Sequence, residues 1–242
     1  MKVAAFQAPL LADCSIHNAL CLIREQLDAC ESAGVEVLCC PEAILGGLAD
    51  YAPRPNEIAI DVARGHLGAV LAPIISETVT TILGFTELDC GRLYNSAAVF
   101  HRGSVTGIYR KRHPAINRSV YDAGEAAPVF TIDTFTFGIL ICRDSTDPEL
   151  ARTMASRGAT ALFVPSNNGL PPGRASKELV TETRNVDIKR ALDNGVAVIR
   201  ADVAGGAGDL LSFGSSAIID RRGRPLACAK QFFTSQLLIA EV

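Results

Sequence analysis

Tryptophan is absent from the 242-residue chain, methionine occurs twice, and aromatic residues make up only 6%. Such a chain offers little surface for holding an aromatic ligand by stacking. A surplus of charge is also missing: 23 Lys and Arg stand against 26 Asp and Glu, for a formal charge of −3 and an isoelectric point near 5.8. The basic residues are scattered, so no stripe faces a phosphate backbone, and nucleic acid is excluded as a partner. No apolar run approaches the roughly 18 residues of a membrane span. The N-terminus reaches Gln7 and Pro9 too soon for a signal peptide. A cytoplasmic protein without membrane contact is expected. The eight cysteines (14, 21, 30, 39, 40, 90, 142 and 228) include no C-x-x-C pair, and the four histidines (17, 66, 101 and 113) no H-x-x-x-H. Neither a disulfide framework nor a bound metal is expected, and most thiols read as small packed hydrophobes.

Apolar material is plentiful. With 48% hydrophobic and 20% charged residues and a mean hydropathy of +0.24, the chain builds a large core, which excludes disorder and a coiled coil. One domain over residues 1–242 is expected.

Val3 to Ala8 is apolar and of strand length. Ser15 follows as an N-cap, and Ile16, Leu20, Ile23, Leu27 and Cys30 recur at spacings of four, three, four and three, the stripe of an amphipathic helix. Gly34 ends it, and residues 35–40 read as a buried strand, giving a parallel β-α-β unit. Cys39 and Cys40 then point to opposite faces. A Gly- and Pro-rich loop (46–55) leads to a second helical pattern over about 57–76. Strands follow near 79–85, 95–101 and 104–110, with turns at Asp89-Cys90-Gly91 and Arg102-Gly103. The later half repeats the order: strands near 129–132 and 135–142, a helix over 148–157 opened by Asp147-Pro148, a strand near 161–164, and a helix over 177–193. Strands near 196–201, 214–219, 225–229 and 236–240 complete it. Two such halves without a linker predict an α/β fold of two packed sheets with helices outside, a four-layer α-β-β-α sandwich.

Three chemically reactive residue types stand at predicted strand ends. Glu42 follows Val37-Leu38-Cys39-Cys40-Pro41, Lys111 follows Ile108-Tyr109-Arg110, and Cys142 follows Gly138-Ile139-Leu140-Ile141. Strand carboxyl ends are where open α/β sheets place ligands. Brought together, the three supply a thiol nucleophile, a carboxylate to take its proton and an ammonium to steady an oxyanion. Taken singly they also read as a packed thiol, a capping glutamate and a solvated lysine.

Three segments together resemble the signature blocks of the nitrilase superfamily of carbon-nitrogen hydrolases: Cys39-Cys40-Pro41-Glu42, Tyr109-Arg110-Lys111-Arg112-His113-Pro114 and Gly138-Ile139-Leu140-Ile141-Cys142-Arg143-Asp144. Pro148-Glu149, Arg157-Gly158-Ala159, Val164-Pro165-Ser166 and Arg190-Ala191-Leu192-Asp193-Asn194 fall where that family places similar runs. The resemblance implies the same sandwich, a Glu42-Lys111-Cys142 triad, no metal or organic cofactor, and a homodimer or higher homo-oligomer. It implies hydrolysis of a small amide, with the backbone N–H of Arg143 joining Lys111 at the oxyanion. An N-carbamoyl amino acid or a nitrile on the same triad, or a non-catalytic binding relative, are the alternatives.

Two departures affect substrate binding. Many members carry a further glutamate about eight residues after the lysine; Ser119 stands there, and Asp122 or Glu125 is a candidate replacement. Arg143 beside the cysteine either binds a substrate carboxylate in bidentate fashion or pairs with Asp144 or Glu149. Asn167 and Asn168, after another strand, either line the pocket or cap a loop. A Cys-His enzyme would need His113, since all four histidines precede Cys142. Gly205-Gly206-Ala207-Gly208 lacks the order of a dinucleotide motif and reads as a loop.

Overall fold

The computed structural model describes residues 1–11, 15–230 and 235–242; Cys14 lies outside the described residues. β1 (Lys2–Pro9) leads to α1 (Ile16–Ala33) and β2 (Val37–Cys39). Ser15 caps α1 by accepting the Asn18 N–H at 3.2 Å, and Gly34 closes it at φ 67°. The expected stripe is the buried one: Leu20, Ile23, Leu27 and Cys30 face inward. β3 (Ile60–Asp61), α2 (His66–Leu71), β4 (Thr80–Asp89), β5 (Arg92–His101) and β6 (Ser104–Arg110) complete the first half. The second contains β7 (Val129–Ile132), β8 (Phe135–Ile139), α3 (Pro148–Ser156), β9 (Ala161–Pro165), α4 (Lys177–Asn194) and β10 (Ala197–Ala201). It ends with β11 (Val203–Ala207), β12 (Leu210–Phe213), β13 (Ala217–Ile219), β14 (Pro225–Cys228) and β15 (Gln236–Glu241).

One sheet has the order β12-β11-β1-β2-β4-β5-β6, with β15 on β1 and β3 on β4; the other is β14-β13-β10-β9-β8-β7. Alternation along the strands separates the two cores. Val3, Ala5, Val37 and Cys39 join Phe137, Ile139 and Val198 in the core that continues beneath α3 and α4. Ala4, Phe6, Leu38 and Cys40 pack with the stripe of α1. Adjacent cysteines thus serve two different cores, and the layer order is α-β-β-α.

Two expected elements differ. The helix over 57–76 is cut to α2 and a turn of 3₁₀ helix, because Ile60 and Asp61 pair with Glu87 and Leu88 of β4 and Gly65 takes a left-handed conformation at φ 73°. The run Gly205-Gly206-Ala207 is strand: Gly205 pairs with Ser212 and Gly206 with Leu211, a ladder made by backbone groups alone. β8 ends at Ile139, three residues before Cys142, since the chain must turn there.

Candidate active site

The site is assembled from the carboxyl ends of β2, β6, β8, β9 and β10. Glu42, three residues past β2, is 2% exposed, and Lys111, next after β6, is 3% exposed. Burying these charges is tolerable only as a satisfied pair. Lys111 Nζ donates to Glu42 Oε1 at 2.5 Å, Asn95 Nδ2 donates to the same oxygen at 2.8 Å, and the Asn167 N–H donates to Oε2 at 2.9 Å. The Glu42 N–H itself donates to Ser166 O at 3.2 Å, so both sheets hold the carboxylate. Burial is the strongest single influence on the Lys111 ammonium and works against it, but Glu42, Cys142 and Asp144 together outweigh it, and the group is held above its ordinary range.

Cys142 opens the 3₁₀ turn Cys142–Thr146 and is one of few non-glycine residues with positive φ, 47°. Its thiol is pushed up to about 12, first by burial and then by Glu42, with Lys111 opposing. The free protein therefore carries a neutral thiol, whose Sγ faces Asn168 Oδ1 at 3.9 Å. Asp202 fixes Asn168, accepting its backbone N–H at 3.0 Å and its Nδ2 at 2.9 Å.

A buried carboxylate ties the lysine loop to the cysteine turn. Asp144 accepts from Tyr109 Oη at 2.7 Å, the His113 N–H at 2.9 Å and the Ile141 N–H at 3.2 Å. Two residues on either side of Lys111 are thereby fixed to the residues flanking Cys142. Beneath the turn, Arg200 is held by both oxygens of Asp187 at 2.6 Å and donates to Ser145 Oγ at 2.9 Å. Ser145 Oγ in turn donates to Cys142 O at 2.8 Å.

Glu42, Lys111, Cys142, Arg143, Asn167 and Asn168 all border one cavity of about 380 Å³, a volume suited to a small molecule. Glu125 does not: it is exposed and lines a separate cleft with Glu87, Arg92 and Arg110. That corrects its reading as a substrate-binding residue, and the geometric reason is that the chain leaves the cavity rim after Asp122. Arg143 is paired with neither Asp144 nor Glu149; it donates to Ala115 O at 3.0 Å, while Glu149 pairs with Arg152. His113 turns to Asp147 at 2.9 Å and does not border the cavity, so the Cys-His arrangement is not formed. Asn95, Asp50 and Arg200 also border it and were not singled out from sequence. Asn95 and Arg200 left a signal, a polar residue inside an apolar strand; Asp50 left none. Among the described residues no three His, Cys, Asp or Glu side chains gather as a metal site, and no helix is long and apolar enough to cross a membrane.

A four-layer α-β-β-α sandwich with Glu, Lys and Cys converging on one cavity defines a class of α/β hydrolytic scaffold. The sequence profile described as carbon-nitrogen hydrolase matches residues 2–242. The chain belongs to that family, the nitrilase superfamily, and is a carbon-nitrogen hydrolase by that membership. It is 28% identical over 194 residues to an (R)-stereoselective amidase from a Pseudomonas species, covering 79% of this chain and 68% of that one. It is 30% identical over 178 residues to a nitrilase from Pyrococcus abyssi, covering 72% and 64%, so the match spans less than two thirds of that relative's length. A carbon-nitrogen hydrolase from Helicobacter pylori G27 has the same fold, with a TM-score of 0.86 at 21% identity over 99% of this chain and 88% of that one.

Proposed function

We propose that the chain hydrolyses a small amide, one bearing a carboxylate, through a thioester on Cys142. The observation that carries this is the buried Lys111–Glu42 pair, 2.5 Å apart, on the wall of the cavity that Cys142 also borders. A thiol held near 12 is almost wholly protonated at neutral pH, so attack needs a base at hand. Glu42 takes the thiol proton as sulfur bonds to the carbonyl carbon. Lys111 and the Arg143 N–H, a donor without a partner among the described residues at the start of a helical turn, hold the oxygen as it gains charge. The carbon-nitrogen bond then breaks, and Glu42 returns the proton to the leaving ammonia or amine. Water next attacks the thioester, giving a proton to Glu42; the carbon-sulfur bond breaks, the acid leaves, and Cys142 regains its thiol. No other co-reactant is required.

Arg143, exposed on the cavity rim with one guanidinium hydrogen bond among the described residues, supports a carboxylate on the substrate. An N-carbamoyl amino acid fits the same steps; a nitrile needs one water more, which adds to the thioimidate first formed on sulfur before ammonia leaves and the thioester is reached. The test is ammonia release from a panel of small amides, carbamoyl amino acids and nitriles, by wild type and by Cys142→Ala. Release that vanishes in the variant is the expected result; no release from any compound by folded wild type sinks the hydrolytic reading in favour of a binding relative.

A further inference from the structure

Three buried side-chain atoms have no hydrogen-bond partner among the described residues: Thr81 Oγ1, Asn95 Oδ1 and Arg184 Nε. Of the three residues, Asn95 is the one that borders the cavity of the reacting groups. It is 3% exposed and lies on β5, paired with Thr86 of β4, and its backbone carbonyl accepts the Lys111 N–H at 2.8 Å. The side chain thus hangs from a central strand, with its base fixed to the residue that supplies the ammonium. One end of its amide is engaged: Nδ2 donates to Glu42 Oε1 at 2.8 Å, the oxygen that Lys111 Nζ also reaches at 2.5 Å. The other end, Oδ1, has no donor. Burying an amide oxygen in that state is costly, and an apolar side chain of similar shape would avoid the cost.

The reaction supplies what the oxygen lacks. Lys111 Nζ and the Arg143 N–H are donors and serve the carbonyl oxygen of the substrate, but the nitrogen of a primary amide brings two N–H donors of its own and needs acceptors. Glu42 Oε2 offers one position, since Oε1 already takes two donors and Oε2 only the Asn167 N–H. Three side-chain amides border the cavity, those of Asn95, Asn167 and Asn168. Asn167 Oδ1 accepts the Gly169 N–H at 3.0 Å, and Asn168 Oδ1 faces the Cys142 thiol at 3.9 Å. Asn95 Oδ1, on the amide that already holds Glu42, is the acceptor left over.

Resting on the hydrolase reading above, we propose that Asn95 is a further catalytic residue, whose Oδ1 accepts an N–H of the scissile amide. That bond turns the nitrogen so that, once the carbon is tetrahedral, the nitrogen lone pair meets the proton on Glu42. The proton passes from Glu42 to nitrogen, the carbon-nitrogen bond breaks with its electron pair going to nitrogen, and the thioester carbonyl re-forms; Asn95 neither gains nor loses a proton. An ester of the same acid has no hydrogen on its leaving oxygen and gives Oδ1 nothing to accept.

Asn95→Leu removes both ends of the amide, so losing the donor to Glu42 slows amide and ester alike, and the ratio between them isolates the oxygen. Wild type and variant are compared on succinamate with monomethyl succinate and on propionamide with methyl propionate. The amide-to-ester ratio of kcat/KM is expected to fall at least tenfold in the variant. Equal losses on amide and ester, which would make Asn95 a support for Glu42 alone, or no loss at all, overturn the assignment. Asn95→Ala carries the same expectation if the leucine variant does not fold, as thermal unfolding reports. A second readout needs no turnover: iodoacetamide and methyl iodoacetate both alkylate a thiolate, only the first carries N–H groups, and peptide mass at Cys142 gives each rate relative to free cysteine. Where wild type turns over both members of a pair the kinetics decide, and otherwise the alkylation does. A preference for iodoacetamide that is lost in Asn95→Leu, without hydrolysis of any amide, supports Asn95 and rejects the hydrolase; hydrolysis with an unchanged amide-to-ester ratio rejects Asn95 and keeps the hydrolase.

Discussion

Cys142 combines a left-handed backbone, φ 47°, with a thiol raised to about 12. A non-glycine residue in that conformation costs on the order of 1 kcal/mol and is retained where the surroundings fix it, here by Asp144 and Ser145 on the same turn. Cys142 borders the cavity, and burial beside Glu42 keeps its thiol protonated. Alkylation by iodoacetamide, which needs the thiolate, should accordingly rise about tenfold per pH unit from pH 8 to pH 11 at Cys142. A rate that levels off by pH 7 would show an already ionised thiol and contradict this electrostatic picture. Glu42, Lys111 and Cys142 stood out as candidates for chemistry because each comes within three residues of the end of an apolar strand. Asp50 did not, because its partners Ser119 and Val120 lie far along the chain and only folding joins them. Ser119 was noticed for what it lacked, whereas its hydroxyl turns out to hold an acid supplied from another loop.

Strand β4 shows how an element positions chemistry it does not contain. Gly84 sits so close beneath Pro41, Glu42 and Ala43 that a Cβ there would meet the Pro41 carbonyl oxygen, the Ala43 nitrogen at 2.5 Å and the Glu42 Cα at 2.7 Å. All three are backbone and cannot swing aside. Gly84→Ala should destabilise by about 1–3 kcal/mol, as overpacking does, and lower kcat at least tenfold by displacing Glu42 from Lys111. Thermal unfolding and steady-state kinetics together check it; an active, equally stable variant would mean that Glu42 tolerates displacement. The strand itself was legible as an apolar run, but its extension to Asp89 and its pairing with β3 were not. The extension rests on pairing of Leu88 and Asp89 with Leu93 and Arg92 of β5, and the β3 pairing on Ile60 and Asp61, two residues too short to show periodicity. The glycines of β11 failed as a strand signal for a related reason: their pairing rests on backbone hydrogen bonds, which leave no mark in side-chain pattern.

Across the whole molecule, the two sheets are joined at the site by polar contacts as well as by the apolar core: Glu42 accepts from the Asn167 N–H, and Asp144 from Tyr109 Oη and the His113 N–H. Beneath them Arg200 on β10, 2% exposed, connects Asp187 of α4 to Ser145 of the cysteine turn and to Ser166, whose carbonyl accepts the Glu42 N–H. Arg200→Met leaves Asp187 buried without its partner, and urea unfolding should report a loss of about 3–5 kcal/mol. An unchanged midpoint would mean that the pair is dispensable to the fold. The sandwich was foreseeable from two β-α-β-α halves, whereas this network was not, since an arginine inside an apolar run does not reveal which elements it bridges. The central claim is a covalent one, that the acyl group of the substrate passes through Cys142. Rapid acid quench of the protein during turnover of an amide it hydrolyses, followed by mass analysis of its peptides, tests that directly. The account predicts the acyl mass on the peptide containing Cys142 and on no other; ammonia release with that peptide unmodified throughout the time course, or with the acyl group elsewhere, would contradict it.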